Sequence, residues 1–470
     1  MTMTNGYHTS TTPPPPELPA ELPISSPSPP PSVVLEKETP LPPPPSTATA
    51  TIGSVIEPPE NPMSDVPTTT TTPEECMTSF KEESNQIKDL SPTETKALDD
   101  FKTLIQESIT NNKDFTFLQN PEKPISDISI WGIPILKDER TDVLLLKFLQ
   151  ARDFKVKDSF TMFKDTLQWR KTFEIDSLID ENLGVDLEKV VFNHGFDKEG
   201  HPVCYNVYGE FQNKELYQEM FSDGEKRLKF LRWRIQFLER SIRKLDFRSG
   251  GVNCIFQIND LKNSPGPAKR ELRVATSQAL QLLQDNYPEF VAKQVFINAP
   301  WWYSTFYTMI SPFMTQRTKS KFVFASTAKT PETLFKYVNP EHVPIQYGGL
   351  SVDYCDCNAE FTIDDPASVV TVKPASKQTV EIIVNEKCLF VWEIRVVGWE
   401  VSYGAEYVPN NESQYTVIIQ KARKMTQIDE PVISHSFKIN EPGKILLTIE
   451  NPTSKKKTLL YRFKVSPLTE

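Results

Sequence analysis

Apolar residues recur along this chain at two spacings, and the spacing changes from one region to the next. From Ser91, the residues Leu98, Phe101, Leu104 and Ile105 step by three and four, the period of one buried helix face. Ser91-Pro92 with Glu94 reads as the start of that helix, an N-cap followed by proline at the first helical position. Beyond the break at Trp131-Gly132-Ile133-Pro134, a broad apolar face of Val143, Leu144, Leu145, Phe148 and Leu149 predicts a second helix. Phe160, Phe163, Leu167 and Trp169 predict a third over residues 159–171.

Between residues 200 and 325 the two periods alternate. Strands are predicted at 203–207, 254–258, 295–298 and 322–325. A long helix is predicted at 225–245, where Leu228, Leu231, Ile235, Leu238, Ile242 and Leu245 line one face, with further helices at 268–284 and 302–313. Strand-helix-strand repetition predicts a mainly parallel sheet with helices packed on it. Strands of such a sheet, buried on both faces, are expected to be continuously hydrophobic.

After Gly348-Gly349 the runs become short and β-rich: 369–372, 380–384, 389–397, 415–420, 444–449 and 459–465. Turn signals such as Pro409-Asn410-Asn411 and Pro442-Gly443 separate them. Trp392, Ile394 and Val396 alternate with Glu393 and Arg395, the period of a half-buried antiparallel strand. Six to eight strands in about 100 residues predict an all-β sandwich.

Composition separates the first ninety residues from the rest. Twenty of the 40 prolines fall within residues 1–73, and residues 1–90 carry three basic and twelve acidic side chains. The chain's net charge of −10 therefore resides almost wholly in this tail. Such a stretch buries too little apolar surface to offset its conformational entropy and is predicted to be disordered. Ser or Thr before Pro at Thr12, Ser26, Ser28, Thr39, Thr72 and Ser91 suits proline-directed phosphorylation, and the PxxP runs suit SH3-like partners. An inert solvating tail fits the same composition.

Met1–Gly6 is polar, with no apolar core after it, so no signal peptide is expected. The uncharged stretch 294–316 contains Asn298, Pro300, Pro312 and several hydroxyl residues, and leaves too few apolar residues for a membrane span. Six irregularly spaced cysteines make no disulfide framework, which favours a cytosolic compartment.

Catalytic motifs are missing: there is no G-x-S-x-G elbow, G-x-G-x-x-G loop, Walker loop or H-E-x-x-H. His194 and His201 flank a turn, Phe196-Asp197-Lys198-Glu199-Gly200, and make a poor metal pair by themselves. Cys355-x-Cys357 with Cys388 or His342 is a weak zinc pattern, since a second matching pair is absent. Residues 301–314 present Tyr303, Phe306, Tyr307, Ile310, Phe313 and Met314 on one helical face, with Ser304, Thr308 and Ser311 on the other. That pattern fits a core helix, or one that covers a lipid-sized cavity and rests at a bilayer interface. Arg317-Thr318-Lys319-Ser320-Lys321 follows, three cations and two hydroxyls suited to a phosphate or to a solvated loop. The 225–248 segment carries nine basic residues against three acidic ones, which suits either an anionic membrane surface or a solvated helix face. Nucleic acid is not an expected partner: the body is near neutral and no recognition motif is present.

The order of segments resembles a known family. Leu145-Leu146-Lys147-Phe148-Leu149-Gln150-Ala151-Arg152-Asp153-Phe154, followed by Trp169-Arg170-Lys171, is similar to the helical lead-in of CRAL-TRIO lipid-transfer domains. Asp197-Lys198-Glu199-Gly200-His201-Pro202-Val203, Asn259-Asp260-Leu261-Lys262, Asn286-Tyr287-Pro288-Glu289, Ile297-Asn298-Ala299-Pro300 and Gln346-Tyr347-Gly348-Gly349 continue the match in order. The C-terminal β-region, ending in Thr453-Ser454-Lys455-Lys456-Lys457-Thr458-Leu459-Leu460-Tyr461-Arg462-Phe463, resembles a GOLD domain, and the whole arrangement resembles that of the plant patellins. The organisation expected is a disordered tail over 1–90, a CRAL-TRIO N-terminal helical region over 91–180, an α/β CRAL-TRIO lipid-binding domain over 181–355 and a GOLD-like β-sandwich over 360–470.

The resemblance implies a lipid pocket floored by the parallel sheet and closed by a gate helix carrying Trp302, Tyr303, Phe306, Tyr307, Ile310 and Phe313. In phosphatidylinositol-binding members the headgroup residues fall on Arg152, Glu289, Thr318 and Lys321. Glu289 is expected to orient Lys321 or to accept from an inositol hydroxyl. Ile255 and Gln257 stand where phosphatidylcholine-binding members have small hydroxyl residues, which argues against phosphatidylcholine exchange. The implied protein is a non-enzymatic, peripheral phosphoinositide-binding protein of the cytoplasm, acting in membrane traffic at the cell plate. Its ligand is a bound phospholipid, and no other cofactor is expected. Its partners are phosphoinositides, an anionic membrane surface, and proteins bound through the GOLD domain and the Pro-rich tail. A rival expectation is an interaction scaffold using those two regions. Lys455, Lys456 and Lys457 are expected to blunt an exposed edge strand or to touch anionic membrane.

Overall fold

The computed structural model describes residues 86–111, 114–118, 128–265, 269–300, 319–352, 360–411, 413–427 and 429–468. The first helix, α1 (Pro92–Asn111), starts where the sequence places it, in a reciprocal capping arrangement. The Ser91 amide donates to Glu94 Oε2 at 2.8 Å, and the Glu94 amide donates to Ser91 Oγ at 3.3 Å. A two-stranded ribbon, β1 (Ser129–Ile130) and β2 (Ile133–Pro134), turns through Trp131 and Gly132, both at positive φ. Next come α2 (Thr141–Gln150), α3 (Val156–Thr172) and α4 (Ile175–Leu178). The Phe163 ring packs edge-on against Phe101 and Phe148, at centroid distances of 6.1 and 5.3 Å. Each such buried ring stabilises the bundle by roughly 1.5–3 kcal/mol.

The central sheet has five strands: β3 (Val191–Phe196), β4 (Pro202–Val207), β5 (Ile255–Asp260), β6 (Val291–Ile297) and β7 (Phe322–Phe324), in that spatial order. β3 and β4 form an antiparallel pair; the remaining pairs are parallel. The crossover from β4 to β5 carries α5 (Lys214–Phe221) and α6 (Gly224–Ile242), and that from β5 to β6 carries α7 (Arg270–Asn286). Side chains of Asn213 and Asp223 cap α5 and α6. One sheet face is apolar, with Val203, Tyr205, Ile258, Val295 and Ile297 in a core joined by Leu334 from α8 (Thr330–Tyr337). The opposite face departs from the expected continuous hydrophobicity. It carries two rows in register across the strands: Cys204, Gln257, Gln294 and Phe322, then Asn206, Asn259, Phe296 and Phe324. The amides alternate with the core residues, so a run that looks apolar along the chain has one polar face.

The C-terminal region is a sandwich of eight strands, β8 (Ser368–Val372), β9 (Ser376–Val384), β10 (Cys388–Val397), β11 (Val401–Pro409), β12 (Val417–Met425), β13 (Ile433–Ile439), β14 (Gly443–Asn451) and β15 (Lys457–Pro467). One sheet runs β13-β10-β15-β8 and the other β12-β11-β14-β9. Trp392 fills the interior and donates from Nε1 to the Tyr403 hydroxyl at 3.1 Å.

Two expectations about this region need correction. β10 is not half-buried: Glu393 is 1% exposed and pairs with Arg462 at 2.9 Å. Arg462 also donates to the Thr362 carbonyl at 2.6 Å, so the segment before β8 covers this face. Arg395 donates to the carbonyls of Ile345 and Gly349 at 2.7 and 2.5 Å, holding the sandwich on the preceding domain. The lysine run does not protect an edge either. β15 lies between β10 and β8; Lys457 is buried and donates to the Gly398 carbonyl at 2.6 Å, while Lys456 pairs with Glu332 of α8 at 2.8 Å.

Candidate functional site

Helix α2 is so enclosed that Lys147 in its middle is only 1% exposed. A buried ammonium must have its donors satisfied. Its Nζ donates to Asn253 Oδ1 at 2.8 Å, to the Glu289 carbonyl at 2.9 Å and to Cys254 Sγ at 3.5 Å. It also lies 4.6 Å from the centre of the Phe290 ring. Burial pushes the Lys147 pKa down, and the Cys254 and Glu289 contacts only partly offset that.

The Glu289 carbonyl is the pivot. Glu289 has φ +54°, a left-handed conformation that costs a non-glycine residue roughly 1–3 kcal/mol. Lys147 grips this strained peptide from inside while the side chain turns the other way. There Glu289 Oε2 accepts from Lys321 Nζ at 2.7 Å, with both side chains about a fifth exposed. Lys321 is fixed in turn because its carbonyl accepts from the Gln294 amide at 2.7 Å, beside the start of β7. A half-buried carboxylate and ammonium therefore stand together at the N-terminal end of the parallel strands. Such a pair offers an acceptor for ligand hydroxyls and a donor for a phosphate.

The loop bearing Glu289 is anchored by a second buried group. Glu239 on α6 is fully buried and accepts from Arg170 at 2.5 and 3.1 Å, from Trp131 Nε1 at 3.1 Å and from the Tyr287 hydroxyl at 2.8 Å. Burial raises the Tyr287 pKa well above its ordinary value, and the Glu239 charge adds to it, so the phenol remains a donor. The Trp131 turn, the Trp169-Arg170-Lys171 motif and the Tyr287-Pro288-Glu289 motif thus meet on one carboxylate.

Of the four residues expected at a headgroup, the structure brings Glu289 and Lys321 together. Arg152 is half-buried just past the C-terminus of α2, and its hydrogen bond among the described residues runs to the Ala151 carbonyl. Thr318 and the helix face of Trp302, Tyr303, Phe306, Tyr307, Ile310 and Phe313 lie outside the described residues, as do Cys355 and Cys357. The histidines flanking the turn do not act as a pair. His194 Nε2 is 2.8 Å from Ser351 Oγ, whereas His201 Nδ1 is 2.9 Å from Asp197 Oδ2. Asp197, Glu199 and His201 have their ligand atoms within 4.8 Å, but Asp197 also accepts the amides of Glu199 and His201, which closes the β3–β4 turn. Cys388 is buried in the sandwich. The basic face of α6 is neither a free charged patch nor a purely solvated one. Arg232 bonds Glu181, Arg240 the Ile179 carbonyl at 2.9 and 2.6 Å, and Arg243 Asp176 at 3.3 Å.

Comparison with known proteins bears on this geometry. Residues 97–165 match the CRAL/TRIO N-terminal domain, 187–349 the CRAL/TRIO domain, and 373–457 the domain described as Patellin-1-like, C-terminal GOLD. Patellin-3 of Arabidopsis thaliana is 66% identical over 390 residues, covering 83% of this chain and 78% of that protein. The chain belongs to the patellin family. Patellin-5 of the same plant is also 66% identical over 390 residues, which span 56% of its length. A protein named phosphatidylinositol transfer protein SFH5, from Meyerozyma guilliermondii, is 27% identical over 280 residues, 56% of this chain and 78% of that protein.

In this patellin, two residues that shape the site escaped the reading of its sequence. Lys147 sits inside the quoted Leu145–Phe154 motif but looks like one polar position on an apolar helix. Glu239 looks like one of three acids diluting a basic face. The available signal was the interruption itself: a charge at an inward helical position requires a buried partner.

Proposed function

We propose that this patellin is a non-enzymatic, peripheral phosphoinositide-binding protein that carries or presents lipid during membrane traffic, at the cell plate of dividing cells. The observation that supports this reading most is the Glu289–Lys321 pair at 2.7 Å, presented by a strained peptide that the buried Lys147 holds from behind. In the proposed site, Lys321 and Arg152 meet the phosphate, with Thr318 adding a hydroxyl donor, and Glu289 receives ring hydroxyls. The name of the SFH5 relative agrees with an inositol phospholipid as ligand. Among the described residues no helix is long and apolar enough to cross a membrane, which suits attachment through lipid.

Liposome flotation tests the reading. Phosphatidylcholine vesicles containing a phosphatidylinositol phosphate should carry the full chain to the top of the gradient, and vesicles of phosphatidylcholine alone should not. The Lys321→Ala and Arg152→Ala variants should remain folded and float about tenfold less. Equal flotation of parent and variants would refute the assignment of the headgroup site.

A further inference from the structure

Lys147 on α2 and Cys254 just before β5 come from distant parts of the chain and meet in the interior. Lys147 Nζ lies 3.5 Å from Cys254 Sγ. Two shared acceptors hold them side by side. Asn253 Oδ1 is 2.8 Å from Nζ and 3.4 Å from Sγ, and the Glu289 carbonyl is 2.9 Å from Nζ and 3.3 Å from Sγ. The frame around them is fixed: Asn253 and Cys254 are buried, and the Ile255 amide donates to the Phe290 carbonyl at 2.8 Å. Sulfur is a weak acceptor, so a third oxygen would satisfy the ammonium better. What a thiol adds at this position is reactivity.

The amine is prepared for it. Burial pushes the Lys147 pKa down, which favours the free amine, and a free amine is a nucleophile where an ammonium is not. The unbranched lysine stem supplies the movement needed to close the gap to sulfur. Two other cysteines among the described residues lack such a neighbour. Cys204 stands beside the guanidinium of Arg234, which stays protonated, and Cys388 lies in the sandwich under the influence of Glu386.

The chemistry balances with hydrogen peroxide as the oxidant. The Cys254 thiol gives its proton to the Lys147 amine, and the thiolate attacks one peroxide oxygen and breaks the O–O bond. Sulfur loses two electrons and becomes a sulfenic acid. The departing hydroxide takes the proton back from Lys147 and leaves as water. The free amine then displaces the sulfenic hydroxyl, which forms an S–N bond and releases a second water. A dithiol reductant reverses the bridge by supplying two electrons and becoming a disulfide. The bridged nitrogen keeps one hydrogen and no charge, so Lys147 loses the ammonium that grips the Glu289 carbonyl and faces the Phe290 ring.

We propose that Lys147 and Cys254 form a reversible, peroxide-dependent S–N bridge, a modification site whose closure releases the Glu289 peptide. An effect on lipid binding rests on the headgroup reading of Glu289 and Lys321; the bridge itself does not.

The test exposes the full chain to hydrogen peroxide, blocks free thiols by alkylation and reads the digested protein by peptide mass spectrometry. Peptides bearing Lys147 and Cys254 should appear joined, two hydrogens lighter than their sum, and should separate after dithiothreitol. Cys254→Ser and Lys147→Arg should each abolish the joined species, since arginine keeps the charge but offers no free amine. Cys254→Ser changes a single atom, so the test survives a failure of Lys147→Arg to fold. Hydrogen exchange at Glu289 and Phe290 should quicken about tenfold in the oxidised parent, return with dithiothreitol and stay unchanged by peroxide in Cys254→Ser. That readout involves no lipid, so a failure of the headgroup assignment leaves it intact. Recovery of Cys254 as free thiol or sulfinic acid, with Lys147 unmodified, would overturn the bridge. A bridge that leaves exchange at Glu289 and Phe290 unchanged would overturn the release.

Discussion

The carboxylate of Glu289 lies 2.7 Å from the ammonium of Lys321, a residue 32 positions further along the chain. The pair is half-buried, so its own worth to stability is small, about 0–1 kcal/mol as for other solvent-accessible ion pairs. Glu289→Gln and Lys321→Ala should therefore shift the melting temperature by only a degree or two while phosphoinositide binding falls about tenfold. Calorimetry beside a vesicle-binding assay measures both. A large loss of stability with binding intact would make the pair structural.

Lys147 acts from the other side of the same peptide, and its burial makes a pH prediction. Its folded pKa lies below the unfolded value, so between those two values the unfolded chain holds more protons, and stability rises with pH through that window. Lys147→Met removes the titration. The parent should thus gain stability relative to Lys147→Met as pH rises toward about 10.4, the ordinary lysine value. Urea unfolding of both proteins from neutral to alkaline pH gives the answer, and a constant difference would mean that Lys147 is not desolvated.

Glu239→Gln should be far more damaging than its exposure-neutral chemistry suggests. It leaves Arg170, 7% exposed, without an ionised partner, and breaking a buried pair costs about 3–5 kcal/mol. Because the same carboxylate receives Tyr287, loosening should spread to the Glu289 loop. Hydrogen exchange should show lost protection at residues 287–290 as well as in α3; protection lost in α3 alone would uncouple the hub from the site.

Arg395 links the sandwich to the domain before it. Its donation to the Ile345 and Gly349 carbonyls is a charge-assisted contact worth about 1.5–3 kcal/mol. Lys456–Glu332 is more than half exposed on both sides and contributes little. Arg395→Ala should therefore split thermal unfolding into two transitions, and Lys456→Ala should leave one. Two transitions already present in the parent would show that the contact does not couple the domains.

These contrasts mark what the sequence carries. Local signals were legible: the Ser91–Glu94 cap, the periodicity of α1 to α3, and the alternation that becomes β10. Helix and strand periods are set by neighbours along the chain, so they are written along it. Environments are set across it. Glu393 follows the outward alternation of β10 yet is buried, because Arg462 and the segment before β8 cover that face. The lysines at 455–457 suited an edge, but strand order put β15 inside its sheet. Strands β11 and β13 carry no clear strand pattern along the chain, because Gly404 and bulges interrupt the first, and Ser434 and Ser436 dilute the second. At the site, motif resemblance supplied Glu289 and Lys321 as a pair, whereas the grip of Lys147 on a backbone carbonyl has no sequence pattern.

The most direct measurement is native mass spectrometry of the full chain after exposure to vesicles containing phosphatidylinositol phosphates, with lipid extraction to identify what is held. The account predicts about one inositol phospholipid per parent chain and a marked loss in Lys321→Ala. A chain that emerges without inositol phospholipid, or a Lys321→Ala variant that holds as much as the parent, would contradict it.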